Sequence, residues 1–217
     1  MFAYLGWQLY GTDVVNAGVQ EVASGELEVV LEESEPESEP VDQEEILGDV
    51  APPPELPAVI ERFPEAPAAV GESFAFLTIP KIGIEDLVVY EGVDVQTLKK
   101  GPGHMATTPL PGQVGNAVIS GHRTTYGRPF FDFDLLETGD AIEVESTTGT
   151  HVYEVREILI VEPTDVWVTD PRPGGWLTMT TCNPKFSARE RLIVFAEMVA
   201  GPNLDYINLQ KAGASQA

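Results

Sequence analysis

The chain has 217 residues, of which 43% are hydrophobic, and it carries a formal net charge of -23. This length allows one domain of ordinary size with an extension. The acidic balance excludes the electrostatic footprint of a nucleic-acid-binding protein, and an anionic membrane surface would repel it.

The first residues form a short apolar run, FAYLGWQLY at residues 2–10. A membrane-spanning helix needs about 20 apolar residues, so this run is too short to span, and no basic residue precedes it as in a signal peptide. Trp7 and Tyr10 are of the types that lie at membrane interfaces. We therefore interpret residues 1–20 as the remnant of an N-terminal membrane anchor that begins upstream of Met1. The alternative is a short amphipathic helix that continues through residues 12–22.

An acidic linker is expected at residues 21–70. Residues 1–61 contain fifteen Asp or Glu and no Lys or Arg, so most of the negative charge lies before the part expected to fold. Repeats of Glu, Ser and Pro, followed by the proline-rich APPPELP, favour disorder and an extended chain. Such a linker is what a membrane-tethered enzyme needs to reach substrates away from the lipid.

The region from residue 71 to residue 200 consists of short β-forming stretches separated by Gly and Pro turns. In one of them Ile142 and Val144 alternate with glutamates, as in a strand with one buried face. The pattern indicates an all-β barrel or sandwich. The predicted strands cover residues 74–84, 85–92, 115–122, 140–147, 150–163, 166–169, 176–182 and 191–200.

Little helix is expected in this region. Residues 94–101 predict a short helix with Asp94 as its N-cap and Gly101 as its C-cap. Residues 130–136 predict one or two helical turns. The polar residues 201–217 are expected to form a flexible tail.

Cys182 is the only cysteine in the chain, so an intrachain disulfide is impossible. By itself a lone cysteine is often a small buried hydrophobe. Here it ends a predicted strand, and Arg191 begins the next strand after a loop that contains Asn183 and Pro184. His122 closes a different predicted strand. If these strands are neighbours, the side chains share one end of the sheet, which is a rigid base for a cleft.

The segments that carry these residues resemble the sortase family. TMTTC, which ends at Cys182, followed by Arg191, resembles the sortase signature TLxTC with its arginine, except that Met179 replaces the usual Leu. That change nearly conserves volume. SGHRTTYGRPF resembles the sortase histidine motif, and IPKIGI, LKKGPGH and LPGQVGN resemble other stretches of the family. The resemblance covers residues 73–199, and HRTTYG and NPKFSARERLIV are most similar to class E sortases.

The resemblance implies an eight-stranded sortase-type β-barrel and a transpeptidation reaction. A sortase cleaves a C-terminal sorting signal between Thr and Gly and joins the new carboxyl group to an amine. Class E relatives favour LAxTG-like signals over LPxTG. The implied partners are surface proteins that bear such a signal and the amine of a peptidoglycan precursor. The implied location is the cell membrane, with the catalytic domain on the extracellular side.

The three residue types fit this chemistry. The thiolate is the nucleophile, and at neutral pH a free cysteine is only a few per cent thiolate. A protonated His122 would stabilise the thiolate of Cys182 and donate a proton to the leaving amine. Arg191 stays charged, presents fixed donors, and could stabilise the tetrahedral oxyanion. Arg189, two residues earlier, is the competing candidate, with a solvated surface charge as its ordinary role.

Three further residues are candidates for substrate binding. Tyr126 follows the histidine and could contact the sorting signal, biasing the site toward Ala over Pro, although it could also simply pack its loop. Thr181 precedes the cysteine and could line the groove. His104 lies in the GPGHM loop, which in the family runs close to the active site, although a structural role is the alternative.

Other conspicuous residues have ordinary interpretations. Trp167 and Trp176 could form a groove wall or pack the core, and His151 is expected to be an exposed strand residue. The Glu pairs in the linker lack the spaced ligands and central Gly of a calcium loop. We expect no metal and no cofactor.

Three alternatives to a cell-wall sortase remain. A pilin-polymerising sortase would use a Lys side chain as the amine, and such enzymes often carry a lid loop that is not evident here. An L,D-transpeptidase also uses Cys and His, but its SHGC-type motif is absent. An inactive sortase-like binding module would keep the fold without the reaction.

Overall fold

The computed structural model describes residues 12–34 and 60–214. In this part of the chain eight strands form a closed barrel, in the spatial order β1, β2, β3, β4, β7, β8, β6, β5. The expected eight-stranded barrel is therefore confirmed. The strands are β1 Ser73–Ile79, β2 Ile84–Glu91, β3 Gly103–His104, β4 Gly115–Ser120, β5 Ala141–Ser146, β6 Gly149–Val161, β7 Gly175–Asn183 and β8 Glu190–Ala200.

Alternating side chains build the barrel interior. In β5, Ile142 and Val144 are fully buried, whereas Glu143 and Glu145 point away from the core. Because successive side chains of a strand face opposite sides, one face of each strand meets the others inside the barrel. The interior residues of β4, β7 and β8 belong to the same apolar cluster. Packing in this cluster favours one register between β4, β7 and β8, and that register determines which residues lie together at the ends of these strands.

Helix α1 (Thr12–Ser34) lies against the outside of the barrel. It extends the short helix considered for residues 12–22 into the predicted linker, so that residues 21–34 are helical here. Ala23 and Leu27, four residues apart, pack on Phe76, Val88 and Tyr90, because residues at this spacing share one helix face. The glutamates lie on the exposed face of the helix, so the acidic composition does not indicate that the opposite face is buried. The proposed anchor run at residues 2–10 and linker residues 35–59 lie outside the described residues.

Among the described residues, no helix combines the length and the apolar character that a membrane crossing requires.

The predicted flexible tail is wrong for most of its length. Helix α3 (Leu204–Ala214) follows β8, and Ile207 is 2% exposed in the core. Just before it, the Asn203 amide donates to the carbonyl oxygens of Phe63 at 2.8 Å and Gly112 at 3.0 Å. Buried hydrogen bonds of this kind hold the segment down, and a mainly polar composition does not indicate them.

The short helical segments include one further correction. Helix α2 (Val95–Lys100) is capped as expected, since Asp94 accepts hydrogen bonds from the Gln96 and Thr97 amides. A 3-10 helix, Phe133–Leu135, lies within the predicted turns. Residues 166–169, predicted as a strand from their β-forming side chains, instead form the 3-10 helix Val166–Thr169. The Asn116 amide holds this segment through the carbonyl oxygens of Val168 and Asp170.

His151 is fully buried, not exposed as expected. A Cβ atom added to Gly112 would lie 2.3 Å from the imidazole, and one added to Gly201 would lie 2.9 Å from it. The imidazole Nε2 is 3.0 Å from Thr148 Oγ1. The two glycines therefore leave the space that a buried ring needs, which no local pattern around His151 reveals.

We predict that His151 makes the fold sensitive to acid. Burial lowers the pKa of His151 from 6.5 to about 4, because the charged imidazolium is poorly solvated there. Between these values the unfolded chain binds a proton that the folded chain excludes, so this stability is present above pH 6.5 and lost as the pH falls toward 4. The loss should reach about 3 kcal/mol.

The measurement is the free energy of unfolding from pH 4 to pH 8, compared between the native chain and a His151→Gln variant. The variant should show a smaller pH dependence below pH 6.5. An identical slope in the two proteins would contradict the assignment.

Candidate active site

Two parallel strands bring Cys182 and His122 to one end of the barrel. The register of β4 and β7 pairs Ser120 with Thr180, and the Gly121 amide donates to the Thr180 carbonyl oxygen at 3.1 Å. His122 lies two residues beyond Ser120, and Cys182 lies two residues beyond Thr180. Because side chains alternate along a strand, the register favours the same face for both. Parallel pairing thus brings the two segments that carry Cys182 and His122 to the same end of the barrel.

Arg191 lies directly opposite Cys182 in the antiparallel pair of β7 and β8. Residues opposite each other in such a pair share a face, with Cβ atoms about 4.5–5.5 Å apart. The guanidinium Nη1 of Arg191 donates to the carbonyl oxygens of Ala188 at 3.0 Å and Glu190 at 2.9 Å. These bonds hold the cation at the base of the β7–β8 loop, beside the cysteine.

Arg189 takes a different position. It precedes the first residue of β8, its side chain is 74% exposed, and its guanidinium is 3.7 Å from the Glu190 carboxylate. A solvated surface charge is the ordinary role of such an arginine. The geometry favours Arg191 over Arg189 as the cation of the site.

The imidazole of His122 is partly buried and packs against Tyr126. The ring centroids are 5.0 Å apart, with 43° between the ring planes. Burial lowers the pKa of His122 below its ordinary value of 6.5. The neutral imidazole is therefore favoured when no substrate is bound.

Arg123, the residue after His122, is a buried arginine whose hydrogen bonds and ion pair connect several segments, and the sequence did not suggest this role. Its side chain is 2% exposed and forms an ion pair with Asp134 at 2.8 Å. Its guanidinium donates to the carbonyl oxygens of Phe131 at 3.2 Å and Cys182 at 3.3 Å, and to Asn183 Oδ1 at 3.0 Å. Beyond the last ladder bond of β4 and β7, Arg123 thus ties the histidine segment to the backbone of the cysteine.

We predict that Arg123→Lys lowers kcat about tenfold while the fold persists. Lysine keeps the charge but has no planar fork to reach these acceptors together, and small displacements of reacting groups are costly to rate. The measurements are kcat and the melting temperature. Arg156→Lys, which changes an exposed arginine paired with Glu154 and Glu197, is the matched control. A folded Arg123→Lys protein with native kcat would show that this cross-link does not matter for the reaction.

The candidate substrate-binding residues fall in three different places. Tyr126 lies beside His122, as described above. Thr181 is 3% exposed, and its hydroxyl donates to the Gly121 carbonyl oxygen at 2.8 Å. Its side chain therefore joins the ends of β4 and β7 from the face opposite to Cys182. This geometry does not favour the predicted role of Thr181 as a residue that lines the substrate groove.

His104 is not brought to the site. It is 1% exposed, its Nδ1 is 2.8 Å from the Glu91 carboxylate, and its Nε2 is 2.9 Å from the Pro109 carbonyl oxygen. It lines a cavity of about 430 Å³ together with Arg62 and Tyr206. These partners support the structural alternative for His104.

Ser120 and Thr180 are residues that the sequence interpretation missed. Both are half-buried, they pair with each other, and by alternation they share the face of His122 and Cys182. Strand alternation could have indicated them, because residues two apart in a strand share a face and these two residues precede His122 and Cys182 by two positions. These hydroxyl groups are placed where a bound peptide could contact them.

The two tryptophans lie on the outer side of β7 and β8. Trp167, in the 3-10 helix, is 6.3 Å from the Phe195 ring, and Arg172 stacks between Phe195 and Trp176. Val168 of the same 3-10 helix covers Ile193. Trp176 is partly buried against the same cluster, which supports packing as its role.

Comparison with known proteins identifies the family. Residues 77–199 match the family model described as a sortase domain. Sortase SrtE1 of Streptomyces coelicolor is 37% identical over 145 residues, which cover 59% of this chain and 41% of the relative. The chain thus spans less than half the length of that curated relative.

Solved structures agree in fold and sequence. Sortase E from Streptomyces avermitilis is 39% identical, with a TM-score of 0.56, over 61% of this chain and 91% of that chain. Sortase E1 from Streptomyces coelicolor, solved with a tripeptide in the active site, is 36% identical, with a TM-score of 0.55, over 62% of this chain and 92% of that chain. With more than half of its residues inside a matching sortase domain, the chain belongs to the sortase family, and class E sortases are among its relatives.

Proposed function

We propose that this protein cleaves a C-terminal LAxTG- or LPxTG-like sorting signal between Thr and Gly and transfers the acyl group to an amine of a cell-wall precursor. The observation that carries the proposal is the register of β4, β7 and β8. This register supports the proposal because Ser120, two residues before His122, pairs with Thr180, two residues before Cys182, and because Arg191 pairs with Cys182.

Cys182 supplies the nucleophile for the first step. Its thiolate attacks the carbonyl carbon of the signal threonine and forms a tetrahedral intermediate. The bond between carbon and the glycine nitrogen then breaks, and His122 donates its proton to that nitrogen. The products of this half-reaction are a thioester on Cys182 and a free amine.

The second half-reaction reverses these roles. The acceptor amine attacks the thioester carbonyl, His122 takes the proton from the attacking nitrogen, and the Cys182 thiolate leaves. A new amide bond replaces the thioester, so the acyl group passes to the amine instead of being hydrolysed.

Arg191 supplies a permanent positive charge beside the reacting carbonyl. Its Nη1 holds the guanidinium to the β7–β8 loop through two backbone oxygens. A donor fixed in this way needs little rearrangement when negative charge develops on the carbonyl oxygen, which is the basis of oxyanion stabilisation.

Tyr126 is proposed to bias the signal toward Ala at its second position. The ring lies against His122, so a peptide that reaches both the imidazole and Cys182 passes close to it. The similarity to class E sortases supports this preference.

The proposed location is the cell membrane, with the catalytic domain on the extracellular side. The aromatic run at residues 2–10 supports an anchor there. The proposed partners are surface proteins with a sorting signal and a peptidoglycan precursor.

The test is incubation of the full chain with an LAxTG or LPxTG peptide and an amine, followed by mass spectrometry of the peptides. We expect cleavage after Thr, a ligated product, and faster reaction of the LAxTG peptide. Glycine amide and a peptide with a free Lys side chain serve as alternative acceptors, and preference for Lys would favour a pilin-type enzyme. Absence of both cleavage and ligation would indicate the inactive binding module.

We predict a bell-shaped dependence of kcat/KM on pH with slow turnover. The active form requires a thiolate and an imidazolium together, which is a minor fraction because a thiol ordinarily holds its proton to higher pH than an imidazole does. Because burial lowers the pKa of His122, the acidic limb of the profile should lie below pH 6.5. Steady-state kinetics from pH 5 to pH 10 provide the measurement. A rate that rises with pH through a single ionisation and does not fall again up to pH 10 would reject the role of His122 as proton donor.

A further inference from the structure

The loop that follows His122 has an unusual backbone. Tyr126, Gly127 and Arg128 have φ angles of 52°, 78° and 50°, so three successive residues lie in the left-handed region. Only glycine adopts this conformation without strain, and two of the three carry side chains. Such a backbone persists when surrounding contacts hold it. The contacts that hold this loop therefore also determine where the Tyr126 ring lies.

Helix α1 provides contacts of this kind, through a carboxylate near its N-terminus. Asp13 Oδ1 accepts a hydrogen bond from the Gly127 amide at 3.1 Å. Asp13 Oδ2 lies 3.0 Å from Arg128 Nε, in an ion pair whose side chains are 22% and 38% exposed. One side chain thus binds both the middle and the end of the left-handed run.

The next turns of α1 bind the backbone of Lys99 and Lys100, and Lys99 reaches toward Tyr126. The Asn16 amide donates to the carbonyl oxygens of Lys99 at 3.0 Å and Lys100 at 2.5 Å, and Gln20 also donates to Lys100 at 2.8 Å. These bonds fix the C-terminal end of α2. The Lys99 ammonium group lies 5.9 Å from the centre of the Tyr126 ring, on a side chain of that same turn.

The approach of α1 to the loop is close. A Cβ atom at Gly127 would lie 2.1 Å from Asn16 Oδ1, so the helix leaves room only for glycine. Farther along, Ala23 and Leu27 bury the helix on the barrel. The later turns of α1, with Ala23 and Leu27, therefore pack the helix on the barrel, and its first turn, with Asp13, contacts the loop that follows His122.

We propose that α1 sets the position of Tyr126 against His122 and that Asp13 is a positioning residue for the transpeptidation, acting through Gly127 and Arg128. This inference rests on the proposed function. It links the segment that precedes the barrel to the active site. Undocking of the first turns of α1 releases the left-handed loop, moves Tyr126 from the imidazole, and slows the reaction.

The test uses the full chain with Asp13→Ala, Asp13→Asn and the exchanged pair Asp13→Arg with Arg128→Asp. We expect Asp13→Ala to lower kcat about fivefold to thirtyfold, as for loss of one hydrogen bond to a charged group together with one ion pair. Asp13→Asn keeps an acceptor for Gly127 and should lose less. The exchanged pair restores the ion pair and should recover part of the activity that Arg128→Asp alone loses.

Glu21→Ala is the matched control, because it removes a carboxylate from an exposed position of the same helix. Hydrogen exchange of the Gly127 amide gives a readout that does not depend on the reaction, and it should become faster in Asp13→Ala and stay unchanged in Glu21→Ala.

Two results would overturn the inference. One is unchanged Gly127 exchange in Asp13→Ala, which would mean that the contact does not restrain the loop. The other is faster exchange with native kcat, which would mean that the loop is not coupled to the chemistry. An inactive unmodified chain would instead contradict the proposed function, so the two failures are distinguishable.

Discussion

Cys182→Ala is expected to abolish both cleavage and ligation of a sorting-signal peptide, with a loss of about 10⁴-fold or more in kcat. No other thiol is available, since Cys182 is the only cysteine of the chain. Removal of a catalytic nucleophile costs this much because the remaining binding groups cannot form the covalent intermediate. The measurement is product formation by mass spectrometry under conditions where the native chain turns over many times.

The fold should survive this change. Cys182 is half-buried at the end of β7 and outside the apolar interior cluster, so loss of one sulfur atom leaves no large cavity. Cys182→Ser, which keeps the size and polarity of the side chain, should be nearly as inactive because an alcohol is a much weaker nucleophile at this pH. Turnover within tenfold of native in either folded variant would exclude a thioester mechanism.

Arg191→Ala should have the second largest effect, lowering kcat about 10²-fold to 10³-fold. This range is typical for removal of one donor to a developing oxyanion. Arg191→Lys should retain part of the activity, since it keeps the positive charge but loses the planar guanidinium, whose Nη1 binds the backbone oxygens of Ala188 and Glu190. The measurement is kcat and KM for one peptide with each variant.

Arg189→Ala is the control for Arg191. It removes the same type of side chain from an exposed position two residues earlier, and its weak pairing with Glu190 contributes little. We expect kcat within twofold of native. A large loss in Arg189→Ala with little loss in Arg191→Ala would reverse the assignment of the cation.

The strand ends of the candidate site could be predicted from the sequence. Cys182, Arg191 and His122 each stand where an apolar stretch meets a loop with Gly or Pro, and motif similarity links the three. Alternation of Ile142 and Val144 with glutamates likewise indicated the barrel face that β5 presents. Local patterns suffice in such cases because the period of a strand fixes which side chains share a face.

Alternation also corrects one choice within the motif. Thr181, adjacent to the cysteine, was expected in the groove, but it points to the interior side and bonds to Gly121. Thr180 lies on the face of Cys182. Adjacent residues of a strand face opposite sides, so proximity in sequence to Cys182 does not put Thr181 on the same face.

Other features depend on residues that are distant in sequence. The role of Arg123 depends on the Asp134 carboxylate and the carbonyl oxygen of Cys182, which no local pattern around Arg123 indicates. His151 reads as exposed until the packing at Gly112 is known. Helix α1 reads as acidic linker because its few buried residues are spread over several turns. In each case the stabilising partner comes from another part of the fold.

The most direct measurement is the intact mass of the full chain after brief mixing with a sorting-signal peptide and no acceptor amine, followed by acid quench and peptide mapping. The proposed site predicts an added mass equal to the peptide up to its threonine, located on Cys182, present in the native chain and strongly reduced in Arg191→Ala and His122→Ala. A ligated product formed without such an adduct, or an adduct on any other residue, would contradict a single site built from the sulfur, the imidazole and the guanidinium.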